Sequence, residues 1–158
     1  MENVSPATDT SSLNETQPAP GRIAALDLGE AWTGVAVSDP GAVIAVPVKA
    51  VPTGDLTDYL RVLITSEGID EMLVGVPKTL GGELGLQARR VLAKLNDLKT
   101  QFPGVRFVEW DERLTTRVAG ARRASSGGGR RRKRGRERLD HLAAAEMLQE
   151  YLSARGNR

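Results

Sequence analysis

Three groups of carboxylates stand where apolar runs end. Asp27 closes IAALDLG, Asp111 and Glu112 follow VRFVEW, and Asp140 falls in the opening turn of a C-terminal helix rich in Ala and Leu. Carboxylates at such places are hard oxygen donors that suit Mg²⁺ or Mn²⁺, and paired ions can clamp both oxygens of a phosphoryl displacement. That chemistry is a metal-dependent nuclease's. Each acid also has a plainer reading. Asp before Gly is a common turn former, and an acid in the first turn of a helix complements the helix dipole. Successive strand residues face opposite ways, so only one of Asp111 and Glu112 can face Asp27 while the other pairs with Arg113 or a helix N-terminus; periodicity does not choose between them. Arg113 either grips a phosphate with two parallel N–H bonds or pairs with one of these acids. His141, the single histidine, reads as a helix-surface or core residue rather than a base.

The elements that must position these acids follow from hydrophobic pattern. IAALDLG, TGVAVSD and VIAVPVKAV are short β-rich runs separated by turn formers, which predicts a meander of three antiparallel strands. Thr53 is placed to cap a helix to about Glu67, and MLVGVP then reads as a buried strand. A helix over about 83–99 has its apolar stripe in Leu86, Val91, Leu92, Leu95 and Leu98; Pro103 and Gly104 stop it before a fifth strand, VRFVEW. Thr115 or Thr116 caps a helix to about Ala124, and a final helix runs from Glu137 to Ala154, with Leu139, Leu142, Ala143 and Met147 toward the core. The expected fold is α/β: a five-stranded mixed sheet, three antiparallel strands followed by parallel crossovers, flanked by helices.

Composition narrows the partners. A chain of 158 residues fits one domain, and no apolar stretch approaches the length of a membrane span. With no cysteine there is no disulfide, thiolate metal site or cysteine nucleophile, and the N-terminus lacks a basic region followed by an apolar core, so a cytoplasmic location is expected. Residues 1–20, rich in Ser, Thr, Pro, Asn and Gln, read as a disordered tail, residues 21–155 as the folded domain, and 156–158 as a C-terminal tail. The net charge of +2 conceals an asymmetry: Arg113 to Arg138 holds eleven of the 22 Lys and Arg residues against a single acid, Glu137. Within it, 125–136 reads as a flexible basic loop whose Arg130, Arg131, Arg132, Lys133, Arg134 and Arg136 suit the backbone of a nucleic acid, since cations that neutralise phosphates release counterions.

The segments ALDLGEAWTGVAVSD, LVGVPKTLGGE, VEWDERLTT and RLDHLAAAEMLQEYL together resemble the YqgF family, also called RuvX, of pre-16S ribosomal RNA nucleases and Holliday-junction resolvases with a ribonuclease H-like fold. The likeness spans about Arg22 to Leu152, and DERLTT followed by the Asp-bearing helix is its most specific part. It implies a metal-dependent endonuclease using Mg²⁺ or Mn²⁺, with Asp27, Glu112 and Asp140 as catalytic metal ligands and Asp111 as the alternative to Glu112. It also places Lys78 on a loop rimming the site, where it would hold a phosphate of the nucleic acid, as would Arg113. Where family members usually carry Thr and basic residues after DLG, this chain has Glu30, Ala31 and Trp32; Trp32 either stacks on a base or covers the core. The implied substrate is the 5′ end of precursor 16S rRNA, acted on by a monomer or weak homodimer. Branched DNA, or RNA bound by a weakly active ribosome assembly factor, are the alternatives. A sugar kinase or actin-like ATPase would need a second domain to enclose its nucleotide.

Overall fold

The computed structural model describes residues 21–78, 84–112 and 130–156, the last of these as backbone alone up to residue 139. Strands β1 (Arg22–Leu28), β2 (Trp32–Ser38) and β3 (Ala45–Pro52) form the antiparallel meander. Helix α1 (Leu56–Glu67) leads to β4 (Ile69–Val76), and α2 (Leu86–Gln101) leads to β5 (Arg106–Asp111). The sheet order is β3-β2-β1-β4-β5, with β4 parallel to β1 and β5 parallel to β4. The mixed sheet expected from the pattern is therefore present.

Alternation along the strands divides the core in two. Ala24, Leu26 and Leu28 of β1, with Val35, Met72, Val74 and Val76, pack against Leu56, Leu60, Val91, Leu95 and Leu98 of α1 and α2. Ile23, Ala25, Ala36 and Leu73 face the other way, against Ala144, Met147, Leu148 and Leu152 of the last helix, α3 (Arg130–Gly156). Both faces of β1 and β4 are covered, which is why their sequences are almost continuously apolar.

Four expectations are corrected. Thr53 does not cap α1. It lies in a 3₁₀ turn over Thr53–Asp55, where its hydroxyl donates to the Gly29 carbonyl at 3.0 Å, so the first-strand turn, not the helix, claims it. Helix α3 begins at Arg130 rather than Glu137, so residues 130–136 of the expected basic loop have helical backbone; Arg and Lys are good helix formers and a lone Gly135 does not stop them. Asp140 thus lies ten residues inside the helix instead of in its first turn. Leu142 is exposed, and the inward stripe is Ala143, Ala144, Met147 and Leu148. The tail over 1–20, Arg113, the Thr115 or Thr116 cap and the helix to Ala124 lie outside the described residues.

Candidate active site

Asp27 sits one residue before the end of β1 with only 4% of its surface exposed. It shares the parity of Ile23 and Ala25, so its side chain is on the α3 face. Two glycines flank it on that face. Gly34 is its cross-strand partner on β2, and Gly75 stands one step beyond the Leu26–Val74 pairing on β4.

Each glycine makes room for an acid-bearing segment. A Cβ at Gly34 would stand 2.0 Å from the Asp140 carbonyl oxygen and 2.7 Å from the His141 nitrogen, so the α3 backbone rests directly on β2 beside Asp27. A Cβ at Gly75 would stand 2.9 Å from Glu112 Oε1 and 3.0 Å from the Met147 sulfur. Glu112, just past the end of β5, therefore folds its side chain over β4 toward α3. Asp27, Glu112 and Asp140 gather around one end of the sheet, on one face. An isolated glycine inside a strand pattern signals such close backbone approach, and TGVAV and LVGVP carried that signal unread.

Asp111 takes the other direction. With Phe107 and Glu109 it shares the α2 side, where Glu109 pairs with Lys99 at 3.6 Å, and its own carboxylate lies 4.0 Å from Lys78 Nζ. His141 is half-buried next to Asp140. Trp32 opens β2 opposite Pro52 and is half-buried rather than displayed on the surface. Arg113 is outside the described residues, and of Arg130, Arg131, Arg132, Lys133, Arg134 and Arg136 only the helical backbone is described.

Among the described residues, no three His, Asp or Glu side chains already stand close enough to one another to hold an ion. The donor set nonetheless suits Mg²⁺ or Mn²⁺: all three carboxylates are hard oxygen donors, and the segments bearing Glu112 and Asp140 reach the sheet beside the buried Asp27 over two glycines where a Cβ would block them.

At the opposite end, helix α3 is fastened through buried Glu71. Its carboxylate accepts from the Tyr151 hydroxyl at 2.6 Å, Arg155 Nη1 at 3.1 Å and Arg106 Nε at 3.0 Å. Burial pushes Glu71 up, but Tyr151, Arg106 and Arg155 outweigh it and hold the carboxyl below its ordinary value. With Asp140 over Gly34 and Tyr151 at Glu71, α3 runs antiparallel to β1 and β4.

A five-stranded mixed sheet in this order, with helices on both faces, is a ribonuclease H-like fold. The fold is shared with RuvC of Thermus thermophilus, alone (TM-score 0.50, 17% identity, 86% of this chain and 96% of that one) and with a Holliday junction substrate (TM-score 0.52, 13% identity, 87% and 96%). The family model described as "RuvX: Holliday junction resolvase" matches residues 21–154, and the chain belongs to that family. A Rubrobacter xylanophilus protein named "Putative pre-16S rRNA nuclease" is 59% identical over 88% of this chain and 97% of its own length. A Corynebacterium aurimucosum protein of the same name is 43% identical, covering 87% and 83%.

Proposed function

We propose that this nuclease is a divalent-metal-dependent endonuclease that trims the 5′ end of the 16S ribosomal RNA precursor in the cytoplasm. The observation that carries the chemistry is the placement of buried Asp27 between two glycines, with Asp140 over one and Glu112 over the other. The names of its relatives supply the substrate.

In this reading Asp27, Glu112 and Asp140 hold Mg²⁺ or Mn²⁺, with Asp111 turned away. Bound there, the ion supplies an activated water and offsets charge on the scissile phosphate. Asp27 is the fixed member, held by the sheet, while the Glu112 side chain and α3 set the approach of the other two oxygens. The cations of residues 130–136, and Arg113, hold the flanking phosphates by charge, independent of sequence.

The description of the family model favours a second reading, resolution of four-way DNA junctions. Paired cuts in a junction call for two sites in a symmetric dimer, whereas trimming an RNA end is within reach of a monomer or weak homodimer.

Labelled RNA spanning the 5′ leader, and in parallel a four-way junction, each incubated with Mg²⁺ or Mn²⁺ and with chelator, separate these outcomes. Metal-dependent RNA cleavage lost in Asp27→Asn is the expected result. Junction cleavage instead establishes the resolvase, and binding of RNA without cleavage points to an assembly factor.

A further inference from the structure

Helix α3 covers one face of the sheet, and the other face carries positive charge at the end that holds Asp27. Helix α2 follows β4, so its first turns lie at the carboxyl ends of the parallel strands, the end that holds Asp27 and Glu112. Ala88 and Val91 are buried there, and Arg89 and Arg90 between them are exposed. Arg90 Nη1 lies 3.4 Å from Glu30 Oε1, in the turn between β1 and β2, three residues after Asp27. Lys78 stands on the same rim, beside Asp111 at 4.0 Å.

The Arg90–Glu30 pair has little structural work. Glu30 is 78% exposed and Arg90 54%, so the attraction is screened and small. The turn is closed without Glu30 by the Gly29 N–H bond to the Trp32 carbonyl at 3.0 Å, and it is tied to Thr53 through the Gly29 and Ala31 carbonyls. What the pair does control is charge next to Asp27. An anionic backbone reaching this end of the sheet meets the Glu30 carboxylate unless Arg90 answers for it.

We propose that Arg90 extends the phosphate contact expected of Lys78 along the α2 side of the active end, and that Glu30 competes with the nucleic-acid backbone for Arg90. Free of substrate, Arg90 rests on Glu30. With substrate, its guanidinium turns to a phosphate, and Glu30 is the cost of that exchange. The strand then crosses the active end with Arg90 and Lys78 on its α2 side. This inference rests on the nuclease reading above.

The test is a double-mutant cycle read by fluorescence anisotropy on a labelled RNA of the 5′ leader, in chelator so that no cleavage intervenes, at several salt concentrations. Arg90→Gln weakens binding roughly three- to fivefold and lowers the slope of log K against log salt by about 0.7, one phosphate contact on a single strand. Glu30→Gln strengthens binding about two- to fivefold at low salt, the scale of an exposed ion pair. In the Arg90→Gln background that gain falls by at least half. Arg90→Lys, which keeps the charge, keeps the salt slope, and thermal melts of each variant confirm a folded protein. An unchanged affinity in Glu30→Gln, or an equal gain with and without Arg90, overturns the proposal while leaving the nuclease reading intact. If the unaltered protein binds neither this RNA nor a four-way junction, the nuclease reading fails and this one with it.

Discussion

Gly34 lies directly beneath Asp140: the α3 backbone passes so close that a Cβ at position 34 would stand 2.0 Å from the Asp140 carbonyl oxygen, a distance no side chain tolerates. Because Gly34 is also the cross-strand partner of Asp27, the missing side chain sets the separation of two acids at the candidate site. Gly34→Ala must lift α3 from the sheet. Overpacking of this kind costs about 1–3 kcal/mol, and a displacement near 1 Å at a reacting centre costs about 100-fold in rate. Urea unfolding and a cleavage assay on the same preparation should show a folded, less stable protein whose activity falls far more than its stability explains. Full activity would separate Asp140 from the chemistry.

Glu112 and Asp111 make opposite predictions. Glu112 folds over Gly75 toward α3, whereas Asp111 meets Lys78 on the α2 side. Glu112→Gln should reduce cleavage by about 100-fold or more, the scale on which loss of one charge-stabilising group acts. Asp111→Asn changes a side chain on the α2 side, away from Gly75 and α3, whose pair with Lys78 is long, and it should stay within about threefold. Single-turnover rates at saturating Mg²⁺ distinguish the two, and the reverse ranking would move the site to the other face of the sheet.

Much of this arrangement is legible in the chain itself, and the remainder fails for identifiable reasons. Short apolar, β-rich runs bounded by turn residues place all five strands, and β1 and β4 stand out because they are buried on both faces and must be apolar almost throughout. The choice between Asp111 and Glu112 is not legible, since it depends on which face of β5 meets α3, and adjacent residues carry equal chemistry. The start of α3 is misread because seven residues rich in Arg and Lys look like a solvated loop until a long helix carries them. Thr53 satisfies every local rule for a helix cap, yet a carbonyl 24 residues away takes its hydroxyl, and tertiary bonds of that kind leave no local trace. Glu71 reads as an ordinary strand acid; its three partners come from β5 and the far end of α3.

Glu71 should also give the protein a pH-dependent component of stability. Its folded pKa lies below the ordinary value of 4.5, so the carboxylate form favours the folded state. The contribution is fully present above about pH 5.5 and fades as the pH falls below the ordinary value and through the lowered folded one. Arg106 and Arg155 are each about half exposed or more, so screening keeps the effect moderate. Glu71→Gln should cost about 1–3 kcal/mol at neutral pH, and its deficit should shrink toward pH 3. A deficit that stays constant from pH 3 to pH 8 would show that packing, not charge, is what Glu71 provides.

The basic run predicts how affinity responds to salt. Arg130, Arg131, Arg132, Lys133, Arg134 and Arg136 lie on the first turns of α3, so deleting them would also shorten the helix that bears Asp140. Replacing all six with Gln keeps a good helix former at each position while removing the charge. If each cation neutralises one phosphate of a single-stranded RNA, the slope of log K against log salt should fall by about 0.7 per residue, up to roughly 4 for the set. Anisotropy titrations at several salt concentrations measure that slope directly. The loss should be the same for RNAs of unrelated sequence, since charge neutralisation reads the backbone and not the bases. An unchanged slope would assign phosphate contact to other residues, with Arg113 and the Lys78–Arg90 rim the next to test.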